Sequence, residues 1–283
     1  MNQSGIFYVV ATPIGNLDDI SRRAAEVLQR VDGIYAEDTR HSRRLLDHLG
    51  LSTPLRSLHE HNERGRIDEV ASRLEAGESL ALISDAGTPL ISDPGFPVVR
   101  ALRERGLQVS PVPGASALVA ALSVSGLPSD RFRFEGFLPP KAKARVKALQ
   151  DLVLETATLV FYESSHRVLG SLRDLAEVFG GERPACLARE LTKRYETILH
   201  GDLTSLVQRL EADSQQSRGE FVLIVAGACE ATAAQSLAVD ERRLLTLLSQ
   251  ELAPSRAVKL AAELTGRPRR LLYDELQAMQ GKG

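Results

Sequence analysis

With 283 residues, 43% of them hydrophobic and 25% charged, the chain reads as an ordinary soluble globular protein with room for two domains and an appendage. A formal net charge of −2 excludes a global field that gathers polyanions, so any nucleic acid must be met by local patches. Two cysteines, Cys186 and Cys229, suit neither a disulfide framework nor a zinc site, and no apolar run fits a signal peptide or a bilayer span, which makes a reducing cytoplasm the expected compartment.

A strand is expected over residues 6–11, where β-branched and aromatic residues run into Thr12-Pro13-Ile14-Gly15-Asn16. The spacing predicts a helix over 21–31, capped by Ser21 and carrying Ala24, Ala25, Val27 and Leu28 on one face. A strand over 33–36 ends in Glu37-Asp38-Thr39-Arg40-His41, and a helix over 42–49 stops at Gly50. After a short strand at 55–58 and a helix at 66–76, the apolar run 79–83 predicts a buried strand. It breaks into residues 84–95, a loop of small residues, hydroxyls, two prolines and two carboxylates. Such a loop at the carboxyl end of a strand is where an open α/β sheet places a ligand. A helix over 96–105, a strand over 107–112, the turn Pro113-Gly114-Ala115-Ser116-Ala117 and a small-residue helix through Val124 follow. Alternation of this kind indicates a mainly parallel sheet covered on both faces.

Near residues 127–131 the rhythm changes, which suggests a hinge. Residues 132–137 alternate aromatics with Arg133 and Glu135, closer to an antiparallel strand, and a basic helix is expected over 142–152. From Arg131 to Lys147 there are six basic residues (Arg131, Arg133, Lys141, Lys143, Arg145, Lys147) and one acid, Glu135. Strands at 158–162, 185–188, 195–200 and 221–226, with helices at 168–179 and 203–211, describe a second α/β domain with a mixed sheet. Residues 228–239 are small and polar, as a linker would be. Three helical patterns (241–252, 255–264, 268–279) then suggest a small trihelical domain of helix-turn-helix type. The expected division is a domain over 1–127, a second over 128–228, a linker over 229–239 and a helical domain over 240–283.

Several chemistries are poorly supported. His59 and His61 have no third ligand at recognisable spacing, so no metal is expected. Ser84, Ser92 and Ser116 are not in a nucleophile elbow, and no dinucleotide or phosphate-cradling glycine pattern follows a strand. What remains is a set of loops. Residues 12–16, 85–92 and 114–117 offer backbone groups and small side chains to a flat, moderately polar cofactor. Glu37, Asp38, Arg40, Glu163, His166, Arg167, Arg189, Glu190 and Lys193 could surround a polar substrate, although any one of them alone is more often a solvated loop or cap residue. The residues themselves indicate a two-domain α/β enzyme with a cofactor in the interdomain cleft, and leave the substrate open.

Seven motifs in order carry a resemblance: residues 10–17, 36–40, 84–95, 113–118, 134–139, 161–167 and 188–193. With them, the chain resembles the ribosomal RNA small-subunit methyltransferase I family, a 2′-O-methyltransferase branch of the tetrapyrrole methylase superfamily. The tail, with Leu252-Ala253-Pro254-Ser255 and Thr265-Gly266-Arg267, is similar to that of many family members. The resemblance implies a homodimer that uses S-adenosylmethionine to methylate the ribose 2′-hydroxyl of a cytidine in the decoding region of 16S rRNA. It implies donor contacts at Pro13, Asp85, Ala86, Gly87, Thr88, Ile91, Ser116, Ala117, Tyr162 and Leu187. Gly87-Thr88-Pro89 replaces the Gly-Asp-Pro of many tetrapyrrole methylases, which suits the rRNA branch. In the resulting scheme Glu37 or Asp38 accepts a proton or orients the ribose, and Arg40 and Lys193 hold phosphate. Lys141, Lys143, Arg167 and Arg189 contact RNA, as do the C-terminal helices. A small-molecule methylase and a non-catalytic assembly factor are the rival functions.

Overall fold

The computed structural model describes residues 4–229 and 243–280. The first sheet contains β1 (Ile6–Val10), β2 (Gly33–Ala36), β3 (Leu55–Ser57), β4 (Leu80–Ile83) and β5 (Gln108–Val112), in the order β3-β2-β4-β1-β5 and parallel throughout. Helices α1 (Arg22–Arg30) and α2 (Thr39–His48) cover one face, where Val27, Leu28 and Leu46 meet Ile34 and Ile83. Helices α3 (Glu63–Glu75) and α4 (Phe96–Glu104) cover the other, with Val70, Leu74, Val98 and Leu102 against Phe7 and Leu80. Burial on both faces explains the unbroken apolar runs of β2 and β4.

The strand order positions the site. From β1 the chain leaves through α1 toward β2, and from the adjacent β4 it leaves through α4 toward β5 on the opposite side. Two neighbouring loops therefore diverge at the carboxyl edge, and a crevice opens there, as at any topological switch point. These are the loops at 12–16 and 84–95.

The second sheet, in the order β6-β7-β10-β8-β9, consists of β6 (Phe132–Phe137), β7 (Thr158–Ser164), β8 (Pro184–Arg189), β9 (Thr197–Asp202) and β10 (Glu220–Val225). Here one expectation is corrected: β6 runs parallel to β7, not antiparallel. The helix α6 (Ala142–Gln150) crosses between them, and such a crossover returns the chain in the same direction. The alternation of β6 reflects its half-exposed edge position, which is compatible with either pairing. The remaining pairings are antiparallel, so the sheet is mixed as expected.

Helix α5 (Ala117–Val124) joins the two sheets. Its Leu118, Ala121 and Leu122 pack with Val160, Cys186, Ala188, Val222 and Ile224 of the second sheet. Helices α7 (Val168–Phe179) and α8 (Leu203–Ala212) complete that half. Both sheets belong to one compact unit, Met1–Gln150 with Thr158–Ala226. The other unit, Asp151–Ala157 with Gly227–Gly283, holds a helix over 243–251 (α9), α10 (Pro254–Thr265) and α11 (Arg269–Gln280). These helices share a core of Leu245, Val258, Ala261, Leu272 and Leu276, and Gly266 ends α10 at φ 71°. Most of the expected linker lies outside the described residues. No helix among them is long and apolar enough to cross a membrane.

Candidate active site

The first loop and the central loop are stitched together at their bases. Thr12 and Gly87 exchange backbone hydrogen bonds of 2.8 and 3.1 Å, and the Thr12 hydroxyl donates to the Ser84 carbonyl at 3.3 Å. The Thr88 hydroxyl reaches the Ala115 carbonyl at 3.0 Å, which ties in the turn after β5. At the far end, the buried carboxylate of Glu63 accepts the Gly95 N–H at 2.7 Å. Gly95 has φ 119°, and a Cβ there would stand 2.6 Å from Leu82 Cδ2, so the loop closes only with glycine.

The second sheet supplies the opposing wall. Gly15 comes close to it: a Cβ there would stand 2.5 Å from Lys193 Cγ and 3.0 Å from the Leu191 carbonyl. The Tyr162 hydroxyl accepts the Leu118 N–H at 3.2 Å, in the first turn of α5, and its ring packs edge-on against Phe134 and Phe137. Among the described residues, the four non-glycine residues at positive φ are Leu90, Ser92, Glu190 and Thr192. All lie in the two loops that face each other here. Strain gathered in this way marks loops whose shape serves a ligand and not stability.

These loops enclose two cavities. The first, of about 340 Å³, is lined by Ala86, Gly87, Thr88, Ile91, Ser116, Ala117 and Tyr162, with Asp93, Phe137, Ala188, Leu191 and Lys193. The second, of about 360 Å³, lies against Pro13, Asp85, His41, Ser42 and Arg44, and shares Ile14, Ala86, Lys193 and Glu220 with the first. Of the expected donor contacts only Leu187 lines neither. Its side chain is fully buried on the opposite face of β8, and the alternation of the strand turns Ala188 to the cavity instead.

The expected polar residues are placed unequally. Glu37 is half-buried; burial raises its carboxyl pKa, and the charges of Asp85, Asp93 and Asp38 raise it further. Asp38 caps α2, accepting N–H bonds from Arg40 (2.8 Å) and His41 (3.4 Å), and the Arg40 bond above all holds its pKa below the usual value. Its own N–H donates to Asp85 Oδ1 at 3.1 Å. Arg40 projects into solvent. Lys193 lines both cavities with its ammonium 2.9 Å from Glu190 and 2.9 Å from Glu220; burial lowers its pKa, but these carboxylates outweigh that and raise it.

Two of the expected RNA contacts are structurally engaged. Arg167 donates to the buried Glu163 at 3.2 Å and to the Leu138 carbonyl, while Ser171 donates to the same carboxylate at 2.6 Å. Arg189 donates to the Arg218 carbonyl at 2.6 Å. Lys141, just before α6, and Lys143 in its first turn are exposed, but Arg145 is buried and paired with Asp174 at 2.6 Å. Sequence reasoning passed over Asp93, whose pKa rises to about 6, mainly through burial with a contribution from Asp85, against the opposing Ser84 hydroxyl. Its place in the central loop beside proline was the available signal. Among the described residues no cluster of side chains could hold a metal ion.

Residues 7–207 match the model of the tetrapyrrole (corrin/porphyrin) methylases, and residues 235–280 match that of the RsmI C-terminal HTH domain. The chain is 56% identical to the ribosomal RNA small subunit methyltransferase I of Xylella fastidiosa, over 96% of this chain and 99% of that one. It belongs to the ribosomal RNA small subunit methyltransferase I family. A second member, from Pseudomonas aeruginosa, is 54% identical over 99% of both chains, and one from Escherichia coli O157:H7 is 48% identical over 99% of this chain and 97% of its own. Membership brings the tail with it, since both catalytic-lobe and tail models match. Solved structures share the fold at greater distance. A uroporphyrin-III C-methyltransferase from Thermus thermophilus is 22% identical (TM-score 0.56, 78% of this chain, 94% of that one). A diphthine synthase is 14% identical (TM-score 0.58, 79% and 90%). Their different names illustrate that this architecture alone does not specify a substrate.

Proposed function

We propose that the chain transfers a methyl group from S-adenosylmethionine to the ribose 2′-hydroxyl of a cytidine in the decoding region of 16S rRNA, working in the cytoplasm as a homodimer whose two sheets act as separate lobes divided near residue 127. The observation that carries this is the first cavity: the small residues of the central loop and of the α5 entrance leave open a space that the second sheet covers. At 340 Å³ it is of small-molecule size. A Cβ on Gly87, at φ 81°, would press on Ile14 at 3.3 Å and narrow the wall, so the cradle fits a bulky nucleoside. The residues that would hold it are Asp85 to Thr88, Ile91, Ser116, Ala117 and Tyr162, with Ala188 of β8 where Leu187 was expected, and with Pro13 beside the reacting group. When bound, the donor supplies an already activated methyl group on a sulfonium.

The protein's share is then orientation and proton handling. Glu37 is the favoured proton acceptor of the two: it lines neither cavity, but it is half-buried at the end of β2 next to Asp38, where burial and the nearby Asp85 raise its pKa, whereas Asp38 is occupied with the α2 N-terminus. Lys193 and Arg40 balance phosphate charge near the mouth. Mapping ribose methylation in 16S rRNA with and without the active protein tests the assignment; an unaltered map rejects it. Glu37→Gln is expected to slow methyl transfer about 10²-fold or more with rRNA binding intact, as loss of a general base does. Unchanged transfer removes Glu37 from that role.

A further inference from the structure

The second cavity has a composition the donor does not call for. Its basic side chains come from both lobes: Arg44, with the imidazole of His41, from α2, and Lys193 from the loop after β8. Lys193 is already engaged by Glu190 and Glu220, but Arg44 is exposed and makes no ion pair among the described residues. Ser42 lines the same cavity with its residue 3% exposed, and its hydroxyl has no hydrogen-bond partner. A buried hydroxyl left in this way costs stability unless a ligand engages it. Pro13 and Leu17 offer apolar surface at the other side. The anionic groups present are Asp85, whose Oδ1 accepts the Asp38 N–H, and Glu220, which faces Lys193.

From this juxtaposition we infer that the second cavity seats the acceptor nucleotide of a single-stranded RNA segment. Arg44 and His41 take its phosphodiester, the Ser42 hydroxyl donates to one of its phosphate oxygens, and its ribose faces the wall of Ile14 and Ala86 shared with the first cavity. A guanidinium at the lip binds phosphate in a fixed fork geometry, and an unpaired nucleotide can be splayed from its neighbours into such a space. The inference rests on the methyltransferase function proposed above and adds the residues that hold the second substrate.

The test uses full-length protein, S-adenosylmethionine and small ribosomal subunits lacking the modification. Arg44→Glu is expected to raise KM for subunits about tenfold or more, the size of one lost charge-assisted contact, with kcat and donor affinity by calorimetry unchanged. The salt dependence of binding should fall by roughly one phosphate contact. Ser42→Ala should raise KM without lowering Tm, which a structural hydroxyl would not do. Arg103→Glu, the same charge change at an exposed position lining neither cavity, is the control, and Arg44→Gln replaces Arg44→Glu if the latter fails to fold. An unchanged KM and salt slope in the Arg44 variants overturns the seat while leaving the enzyme's function standing. Equal loss of donor affinity also overturns it, since Arg44 would then belong to the first site. Wild-type protein that transfers no methyl group to the subunits overturns the function and the seat together.

Discussion

Asp93 shows how a single residue sets the chemistry of the first cavity. Its carboxyl lies on the cavity wall with a pKa of about 6 against an ordinary 3.8, chiefly because burial penalises its charge. A raised folded pKa means that the native state holds its proton more tightly than the unfolded state. The stability this provides is complete below about pH 4 and is lost as pH rises through 6. Asp93→Asn should therefore stabilise the protein at pH 7.5 by on the order of 1 kcal/mol, once solvent screening of the partly exposed carboxyl is allowed for, read as a higher Tm, and the margin should vanish toward pH 4. Scanning calorimetry of both proteins from pH 4 to 8 checks this; a constant margin would show that the carboxylate is not strained by burial. Proteins keep such unfavourable charges where a ligand uses them. A sulfonium beside Asp93 would favour the ionised form, so donor affinity should also strengthen as pH rises from 5 to 7, and this dependence should disappear in Asp93→Asn. The loop's composition showed that two carboxylates were near, but not that one would be desolvated.

At the scale of elements, the strands and helices were legible where burial is two-sided or strictly periodic, as in β2, β4, α1 and α7. They were less legible where tertiary context decides. Helix α2 begins at Thr39 and not Ser42, because Asp38 caps it, and the same carboxylate had been read as a possible base. Basic residues on α6 illustrate the opposite error. Six cations between Arg131 and Lys147 suggested one RNA surface, yet the helix turns Arg145 inward onto Asp174 while Lys141 and Lys143 face solvent. A charge count has no face. Arg145→Ala leaves Asp174 without its cation in a mostly buried site and should cost about 3 kcal/mol, measured as a fall in Tm. Lys141→Glu with Lys143→Glu should leave Tm unchanged and weaken rRNA binding in a salt-dependent way. If that pair instead leaves affinity unaltered, α6 contributes nothing to the RNA surface.

Across the whole molecule, charge and architecture divide the work of recognition. A net charge of −2 over 283 residues provides no general attraction for RNA, so affinity must be assembled from separate local contacts. Both cavities are lined only by residues of the unit that contains the two sheets, whereas α9, α10 and α11 close around their own core of Leu245, Val258, Ala261, Leu272 and Leu276. Residues 236–283 carry eight Lys or Arg and six Asp or Glu, and α11 exposes Leu271 and Tyr273 next to Arg269 and Arg270. Apolar and aromatic side chains interleaved with arginines suit a surface that stacks on bases while it holds phosphates. Removing residues 236–283 should therefore leave S-adenosylmethionine uptake unchanged by calorimetry, because no lining residue is lost, and should weaken binding to small subunits with a shallower salt dependence. Intact subunit affinity after the deletion would place all RNA recognition on the two-sheet unit. Loss of donor uptake would instead mean that the first cavity needs the tail to hold its shape, and the separation of chemistry from docking would fail.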